Sequence, residues 1–421
     1  MTVIGLDDTD SRTLGMCTTY VASRLASQLA DSGASIARLI LVRLNPAVEH
    51  KTRGNAALAI HTDASPERAL QLGSEILDLA ATDDEQTNPG LVVADVDPTN
   101  VPDSVSQFAE RAVRDYCDPE RARRVCSNSG FHVRTRGSGR GIVGALAAAG
   151  AWAAFDDWTY ECIAYRERKR WGTERDVDEQ SLFEAADWGY PTVWDTVDRE
   201  EDVAVCVPRT PCPILHGIRG DDPEAVCDVS RRIESEPVDH RRLFVTNQGT
   251  DAHLQPGTLD SVEDGRAYCV DATVKTTPET REGGHVFFEL QDVDASIQAA
   301  AFEPTKRFRD RVRTLRAGDR ITACGELDEG TLKLEKFAVR DLVETERVTP
   351  QCPECDRTME SAGRNAGYRC RECDTASDGK AVRELDRTLE EGWYEVPPCA
   401  RRHIAKPLVR GGFDAPTHPE R

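Results

Sequence analysis

Lysine is scarce in this chain. It occurs eight times in 421 residues, although lysine and arginine together number 53, while aspartate and glutamate reach 74 for a formal net charge of −21. Such an overall field repels a polyanion. The surface resembles those of proteins from a high-salt cytoplasm, where molar salt shortens the screening length to ~3 Å and crowded carboxylates coexist. Long apolar stretches are missing too. No run approaches the ~18 residues that span a bilayer, and no basic segment followed by an apolar one stands at the N-terminus, so a soluble, cytoplasmic protein without a membrane partner is expected. The fourteen cysteines are scattered singly except for one group near residue 360, which excludes a secreted disulfide framework. At 46.5 kDa, the chain exceeds one ordinary core and predicts roughly three or four domains.

Local basic clusters then matter more than the total charge. They are RARR at 121–124, RERKR at 166–170, KRFRDRVRTLR at 306–316 and RRHIAKPLVR at 401–410. A solvated helix face accounts for any one of them, but four in an acidic chain favour a polyanionic partner.

The chain opens MTVIGLDDTDSRTLGMCTTY. The apolar run before Asp7 predicts a buried strand, which places Asp7, Asp8 and Asp10 on the loop at its carboxyl end. Carboxylates this close repel unless the loop is fully solvated or a hard divalent cation bridges them. Residues 18–32 have helical spacing and stop before Gly33; ARLILVRLNP and AALAIHT are strands joined by a polar loop with Lys51, Arg53, Gly54 and Asn55. A helix at 66–82, the strand LVVAD and a helix at 103–117 complete an α/β layer over the first 150 residues or so. That layer closes with RTRGSGRGIVGALAAAGAW, whose Gly137, Gly139, Gly141 and Gly144 resemble a phosphate-cradling turn that opens a helix. It is neither a Walker loop nor the usual dinucleotide fingerprint, and Gly139 and Gly141 would equally serve close helix packing.

From 156 to 250 the order is βαββαβ, that of a ferredoxin-like unit, ending in the polar cluster TNQGTDAHL. Residues 262–345 read as short strands with one helical insert at 305–316, which fits a small barrel of the oligonucleotide-binding type. CPEC (Cys352, Cys355) and CREC (Cys370, Cys373) supply four thiolates for a closed, structural zinc site.

In this order, GLDDTDS with MCTTY, RLNPAVEHKTRGNAA, GSGRGIVGALAAAG, DWTYECIAYR, TPCPILHGIRG, TNQGTDAHL, AFEPTK, the CPEC and CREC pair and YEVPPCARRHIAKPL resemble the archaeal tRNA-isoleucine-2 agmatinylcytidine synthetases across essentially the whole chain. The resemblance implies a multidomain mixture of α/β and α+β folds: a kinase-like ATP-binding catalytic domain at 1–155, a ferredoxin-like domain at 156–255, an OB-fold barrel at 256–347, and a zinc ribbon with a basic tail at 348–421. It further implies an enzyme that spends ATP to join agmatine to carbon 2 of the wobble cytidine of the isoleucine tRNA with a CAU anticodon, so that AUA is read as isoleucine.

Carbon 2 is a carbonyl carbon with a poor leaving group, so its oxygen must be phosphorylated before an amine displaces it, and phosphoryl transfer calls for magnesium. Asp7, Asp8 and Asp10 are then the expected metal ligands. The resemblance also implies autophosphorylation of a threonine after the acidic loop, which falls on Thr18, with Thr19 as the neighbouring alternative. Lys51, Arg53 and Arg140, with Gly139 and Gly141, are expected around the phosphates of ATP. Agmatine carries a guanidinium and an amine, so its pocket should offer carboxylates and amide oxygens; Asn247, Gln248 and Asp251 are the candidates, and Asp156 or Asp157 the fallback. Two other readings stay open: a non-catalytic zinc protein that binds single-stranded nucleic acid, and an ATP-dependent ligase acting on another RNA.

Overall fold

The computed structural model describes every residue of the chain except 12, 50, 52, 53, 294 and 365. Its first half runs β1 (Thr2–Asp7), α1 (Thr18–Asp31), β2 (Ile36–Arg43), β3 (Ala56–Thr62), α2 (Pro66–Ile76), β4 (Gly90–Asp95), α3 (Asp103–Arg114), α4 (Pro119–Asn128), β5 (His132–Thr135) and α5 (Ile142–Ala154). There follow β6 (Thr159–Arg166), α6 (Glu179–Gly189), β7 (Val193–Trp194), the small hairpin β8 (Val197–Asp198) and β9 (Val203–Ala204), β10 (Ile214–Gly220), α7 (Pro223–Arg232) and β11 (Val238–Thr246). The basic cluster at 121–124 thus lies within a helix, α4, that the sequence reading did not predict.

One nine-stranded sheet runs β5-β4-β1-β3-β2-β11-β6-β10-β7. Inside each half all neighbours are antiparallel, which corrects the expected α/β layer. Alternating strands and helices make a parallel sheet when each helix crosses to an adjacent strand; here α1 leads from β1 to β2, and β3 lies between them. Both halves repeat one order, fourth, first, third, second, as β4-β1-β3-β2 and β11-β6-β10-β7. They meet at a short parallel seam with Val245 opposite Ile40 and Thr246 opposite Leu41.

Alternation along β1 sends neighbours to opposite faces. Ile4 and Leu6 pack under α1 and α2 against Val21, Leu25, Leu72 and Ile76, whereas Val3 joins Val105, Phe108 and Leu146 beneath α3 and α5. The alanine-rich α5 lies directly on β1: a Cβ on Gly5 would stand 1.9 Å from the carbonyl oxygen of Ala145.

The barrel region comprises β12 (Leu254–Gly257), β13 (Arg266–Val274), β14 (Glu279–Thr280), β15 (Val286–Gln291), β16 (Ser296–Ala301), α8 (Phe308–Arg313), β17 (Arg320–Asp328) and β18 (Thr331–Asp341). Five strands close on themselves: β13 pairs β15 and β17, β15 pairs β16, β16 pairs β18, and β18 pairs β17. Cys269 and Cys324 stand opposite one another on β13 and β17 and are joined by a disulfide. Scattered cysteines gave no sign of that bond, because the partners lie 55 residues apart in sequence and only the barrel register brings them together.

Next come β19 (Thr345–Val348), β20 (Glu360–Ser361), β21 (Tyr368–Arg369), β22 (Ala376–Ser377) and β23 (Ala381–Glu384), with β19 and β23 paired as a clasp around the cysteine knuckles. The residues expected as a tail of this unit rejoin the barrel instead. There, β24 (Gly392–Glu395) pairs antiparallel with β18, and β25 (Thr417–His418) pairs with β24. Among the described residues no helix is long and apolar enough to cross a membrane.

Candidate active site

Where β1 ends, Asp8 takes a left-handed φ of 59°, a conformation that aspartate tolerates better than most residues. The turn carries Asp7, Asp8 and Asp10 into a cavity of about 570 Å³ that Thr18, Thr19, Lys51, Arg140 and Gly141 also line. Burial and the charge of Asp8 push the Asp7 carboxyl well above its usual range. Burial likewise raises Asp8 to about 6, opposed by Arg140 and reinforced by Asp10. Three carboxyl groups of one loop line the cavity, two of them held above their ordinary values; among the described residues, the groups whose ligand atoms gather within 4.8 Å lie elsewhere.

Thr18 begins α1, and its hydroxyl accepts a hydrogen bond from the Thr9 hydroxyl at 3.1 Å. The Thr19 hydroxyl meets Cys17 Sγ at 3.1 Å. Both threonines are buried but line the cavity. Arg140 Nη2 donates to Asp8 Oδ2 at 3.3 Å and to the Gln86 carbonyl at 2.8 Å. Gly141 opens α5, where a Cβ would fall 2.6 Å from Gly90 N, so its side-chain-free backbone serves close packing. Gly139, at φ 69°, turns against Thr135 and is not on the cavity wall. Lys51 is on that wall, and its ammonium donates to the Pro46 carbonyl. Arg53 lies outside the described residues.

The expected agmatine set needs correction as to place. Asn247 and Gln248 are fully buried, and buried amides find internal partners. Asn247 bridges the seam, its Oδ1 accepting from Arg43 N at 2.7 Å and its Nδ2 donating to Arg43 O at 3.0 Å. Gln248 accepts from Arg43 Nη2 at 3.3 Å and donates to Glu161 at 2.5 Å. Asp251 pairs with Lys336 Nζ at 2.7 Å and accepts from Lys406 N at 2.6 Å, fastening the barrel to the first sheet. Of the fallback pair, Asp156 is exposed and Asp157 meets Arg410 at 3.2 Å. The acid that does line the cavity on this side is Glu161.

Each basic cluster also has arginines already paired within the protein. Arg123 pairs with Glu120, Arg166 with Glu236 at 2.7 Å, Arg307 with Asp198 at 2.9 Å, and Arg401 with Glu395 at 2.8 Å. At the other end of the chain, the sulfurs of Cys352, Cys355, Cys370 and Cys373 lie within 4.8 Å of one another, a grouping that fits tetrahedral zinc. Sequence reasoning missed Arg43, Glu161 and His403, all on the cavity wall. Glu161 had left a trace as the acid inside the otherwise apolar strand TYECIAYR.

Fold and site together define a multidomain, mixed α/β protein with a closed five-stranded barrel, a thiolate-held ribbon and an acidic cavity at a strand end. Family models for the TiaS TCKD, TiaS FLD and TiaS C-terminal zinc ribbon domains match residues 3–74, 139–253 and 349–389. The tRNA-isoleucine-2 2-agmatinylcytidine synthetase TiaS of Haloquadratum walsbyi is 53% identical over an alignment of 462 residues that covers 100% of both chains. A crystal structure of TiaS in complex with the isoleucine-2 tRNA and ATP superimposes with a TM-score of 0.90 at 40% identity, covering 100% of this chain and 99% of that one. A complex of TiaS with the same tRNA, AMPCPP and agmatine gives 0.87 at 38% identity, with the same coverage of 100% and 99%. The chain belongs to the tRNA-isoleucine-2 2-agmatinylcytidine synthetase family.

Proposed function

We propose that this protein is an ATP-dependent RNA-modifying enzyme that joins agmatine to carbon 2 of the wobble cytidine of the isoleucine-2 tRNA, forming agmatidine through a phosphorylated cytidine. One observation carries the reading: an acidic strand-end cavity occurs in a chain that matches relatives of that activity over its full length. Asp7, Asp8 and Asp10 would hold magnesium, which would supply neutralisation of the phosphate oxygens. Thr18 is the phosphoryl acceptor, its hydroxyl held by Thr9 at the start of α1, where free backbone amides favour an anion. Lys51 and Arg53 serve the phosphates, and Arg140 exchanges Asp8 for them. Gly139 and Gly141 shape the turn that brings Arg140 to the cavity. For agmatine, Glu161 is the carboxylate of choice, with Gln248 acting through it.

In this reading the half containing β1 to β5 is the kinase-like domain and the half containing β6 to β11 is ferredoxin-like. The barrel is an OB-fold, its five strands closing in the order 1-2-3-5-4 with a helix between the third and fourth. The ribbon holds one structural zinc, and the protein works in the cytoplasm. Incubation with ATP, agmatine and tRNA transcripts, followed by mass analysis of the anticodon nucleoside, tests the reading. A mass gain on the wobble cytidine that requires both ATP and agmatine is expected. Tight RNA binding without ATP turnover would leave the non-catalytic binding protein in its place.

A further inference from the structure

Part of the cavity wall comes from neither half of the first sheet. His403 belongs to the segment RRHIAKPLVR, whose charges suggested an RNA-gripping tail, yet it lines the cavity with Arg43, Lys51 and Glu161. The backbone around it is strapped to the end of β11. Gly249 N donates to His403 O at 2.8 Å, and Thr250 N and Asp251 N donate to Ile404 O at 3.1 and 3.0 Å. Ile404 is 2% exposed and sits in the core beneath α3 and α5. On one side Arg401 is held by Asp195 and Glu395, and on the other Arg410 is held by Asp221 at 2.6 Å. A ring carried on so constrained a backbone is preorganised.

The ring itself is uncommitted. It is accessible through the cavity, and among the described residues it makes no hydrogen bond. Its surroundings are rich in donors. Although the ring is open to the cavity, the protein packed around it desolvates it and, with Arg43 on β2 and Arg219 on β10, holds its pKa well below the ordinary histidine value; Lys51 lines the same space, and Glu161 on β6 faces Arg43 through Gln248. Arg43 Nε is buried without a hydrogen-bond partner, whereas Arg219, off the cavity wall, has Nη1 3.8 Å from Asp195 Oδ2. A cavity-lining guanidinium with one unsatisfied donor, beside a free imidazole, suits an anionic oxygen acceptor.

We propose that His403 is a substrate-contacting residue of the cavity and that, with Arg43, it receives the phosphoryl group on the carbon 2 oxygen of cytidine as agmatine displaces it. The assignment rests on the function proposed above. In that step the agmatine nitrogen bonds to carbon 2, and the bond from carbon 2 to the bridging oxygen breaks with its electron pair staying on phosphate. The amine proton leaves with that phosphate as the monohydrogen anion. His403 and Arg43 stabilise the departing charge and need not change covalently.

The experiment pairs His403→Ala and His403→Gln with a measurement on the unaltered protein. For His403→Ala, kcat for agmatidine formation is expected to fall about tenfold or more, the usual worth of a hydrogen bond to a charged group. His403→Gln, which keeps a donor, should recover part of it. Labelling of the protein by ATP and titration with tRNA should stay as in the unaltered enzyme, which a merely structural role for the strap would not allow. In the unaltered protein with isotope-labelled histidine, added inorganic phosphate should move one ring resonance, the one missing from His403→Gln. Undiminished kcat in both variants, or a ring resonance indifferent to phosphate, would overturn the proposal. Should the unaltered protein make no agmatidine at all, the functional reading fails, and the phosphate titration still decides whether His403 contacts an anion.

Discussion

Replacing Gly144 with alanine perturbs the site without altering any group that reacts. The new Cβ would fall 2.0 Å from Asp7 Oδ2, 2.5 Å from its Cγ and 2.9 Å from its Cβ. Carbon atoms in contact settle at about 3.5–4 Å, so the carboxyl must move by more than about 1 Å or α5 must lift away. Lifting would give up the close packing of α5 on the sheet, where Gly141 lies on Gly90 and Ala145 on Gly5. The carboxyl therefore moves, and a displacement of about 1 Å at a reacting centre costs on the order of 100-fold in rate. Stability should change far less: an extra methyl in a packed site costs about 1–3 kcal/mol, and alanine for glycine inside a helix returns up to about 1 kcal/mol. Gly150→Ala is the control, since its Cβ would meet the Val105 carbonyl oxygen at 2.6 Å on the same helix, well away from the cavity. ATP consumption with tRNA and agmatine, together with thermal melts, should show Gly144→Ala folded and nearly inactive and Gly150→Ala weakened but active. Full turnover by Gly144→Ala would refute the idea that the position of the Asp7 carboxyl governs the reaction.

Thr18→Ala should abolish transfer of label from ATP to the protein and Thr19→Ala should not; the opposite pattern would move the acceptor to Thr19. Replacing Cys370 and Cys373 with serine should release zinc and raise the KM for tRNA while ATP binding persists, because the clasp between β19 and β23 separates the ribbon from the sheet that bears the cavity; lost ATP binding with unchanged tRNA affinity would reverse that division. His61 is fully buried with neither ring nitrogen hydrogen-bonded, and burial, then Arg38, lowers it to about 4. The folded value lies below the unfolded one, so its contribution is intact above pH 6.5 and is lost as pH falls toward 4, by at most about 3 kcal/mol. Urea midpoints measured between pH 6.5 and 5 should therefore decline less steeply in His61→Gln, and identical slopes would count against the assignment.

Local signals carried most of what could be read in advance. The strand before Asp7, the helix from Thr18 and the strand AALAIHT match β1, α1 and β3, since period and capping act over a few residues. The cysteine knuckles were equally legible, because four ligands at metal spacing need no tertiary context. Pairing between distant segments was hidden. Strand direction in the first sheet depends on β3 settling between β1 and β2, which no local period encodes. Asp251 looked like an open carboxylate until Lys336, 85 residues away, closed on it. His403 lay among arginines and a lysine that pointed to RNA, and only the strap along β11 turns it toward the cavity.

The repeated strand order places two equivalent corners in one sheet, and the chain treats them oppositely. After β1 the connection to α1 gathers three acids around the half-buried Arg140, and the corner stays hollow. After β6 the matching connection to α6 is plugged from within: Arg166, 1% exposed, donates to Glu236 at 2.7 and 2.9 Å and to the carbonyls of Thr173 and Glu174 at 2.8 and 2.9 Å. The filled corner neutralises its acid with a fully buried arginine; in the hollow one the half-buried Arg140 reaches Asp8 at 3.3 Å and leaves the space beside them open. Two copies of one architecture thus end differently, the corner after β6 closed by an internal ion pair and the corner after β1 left as an open cavity.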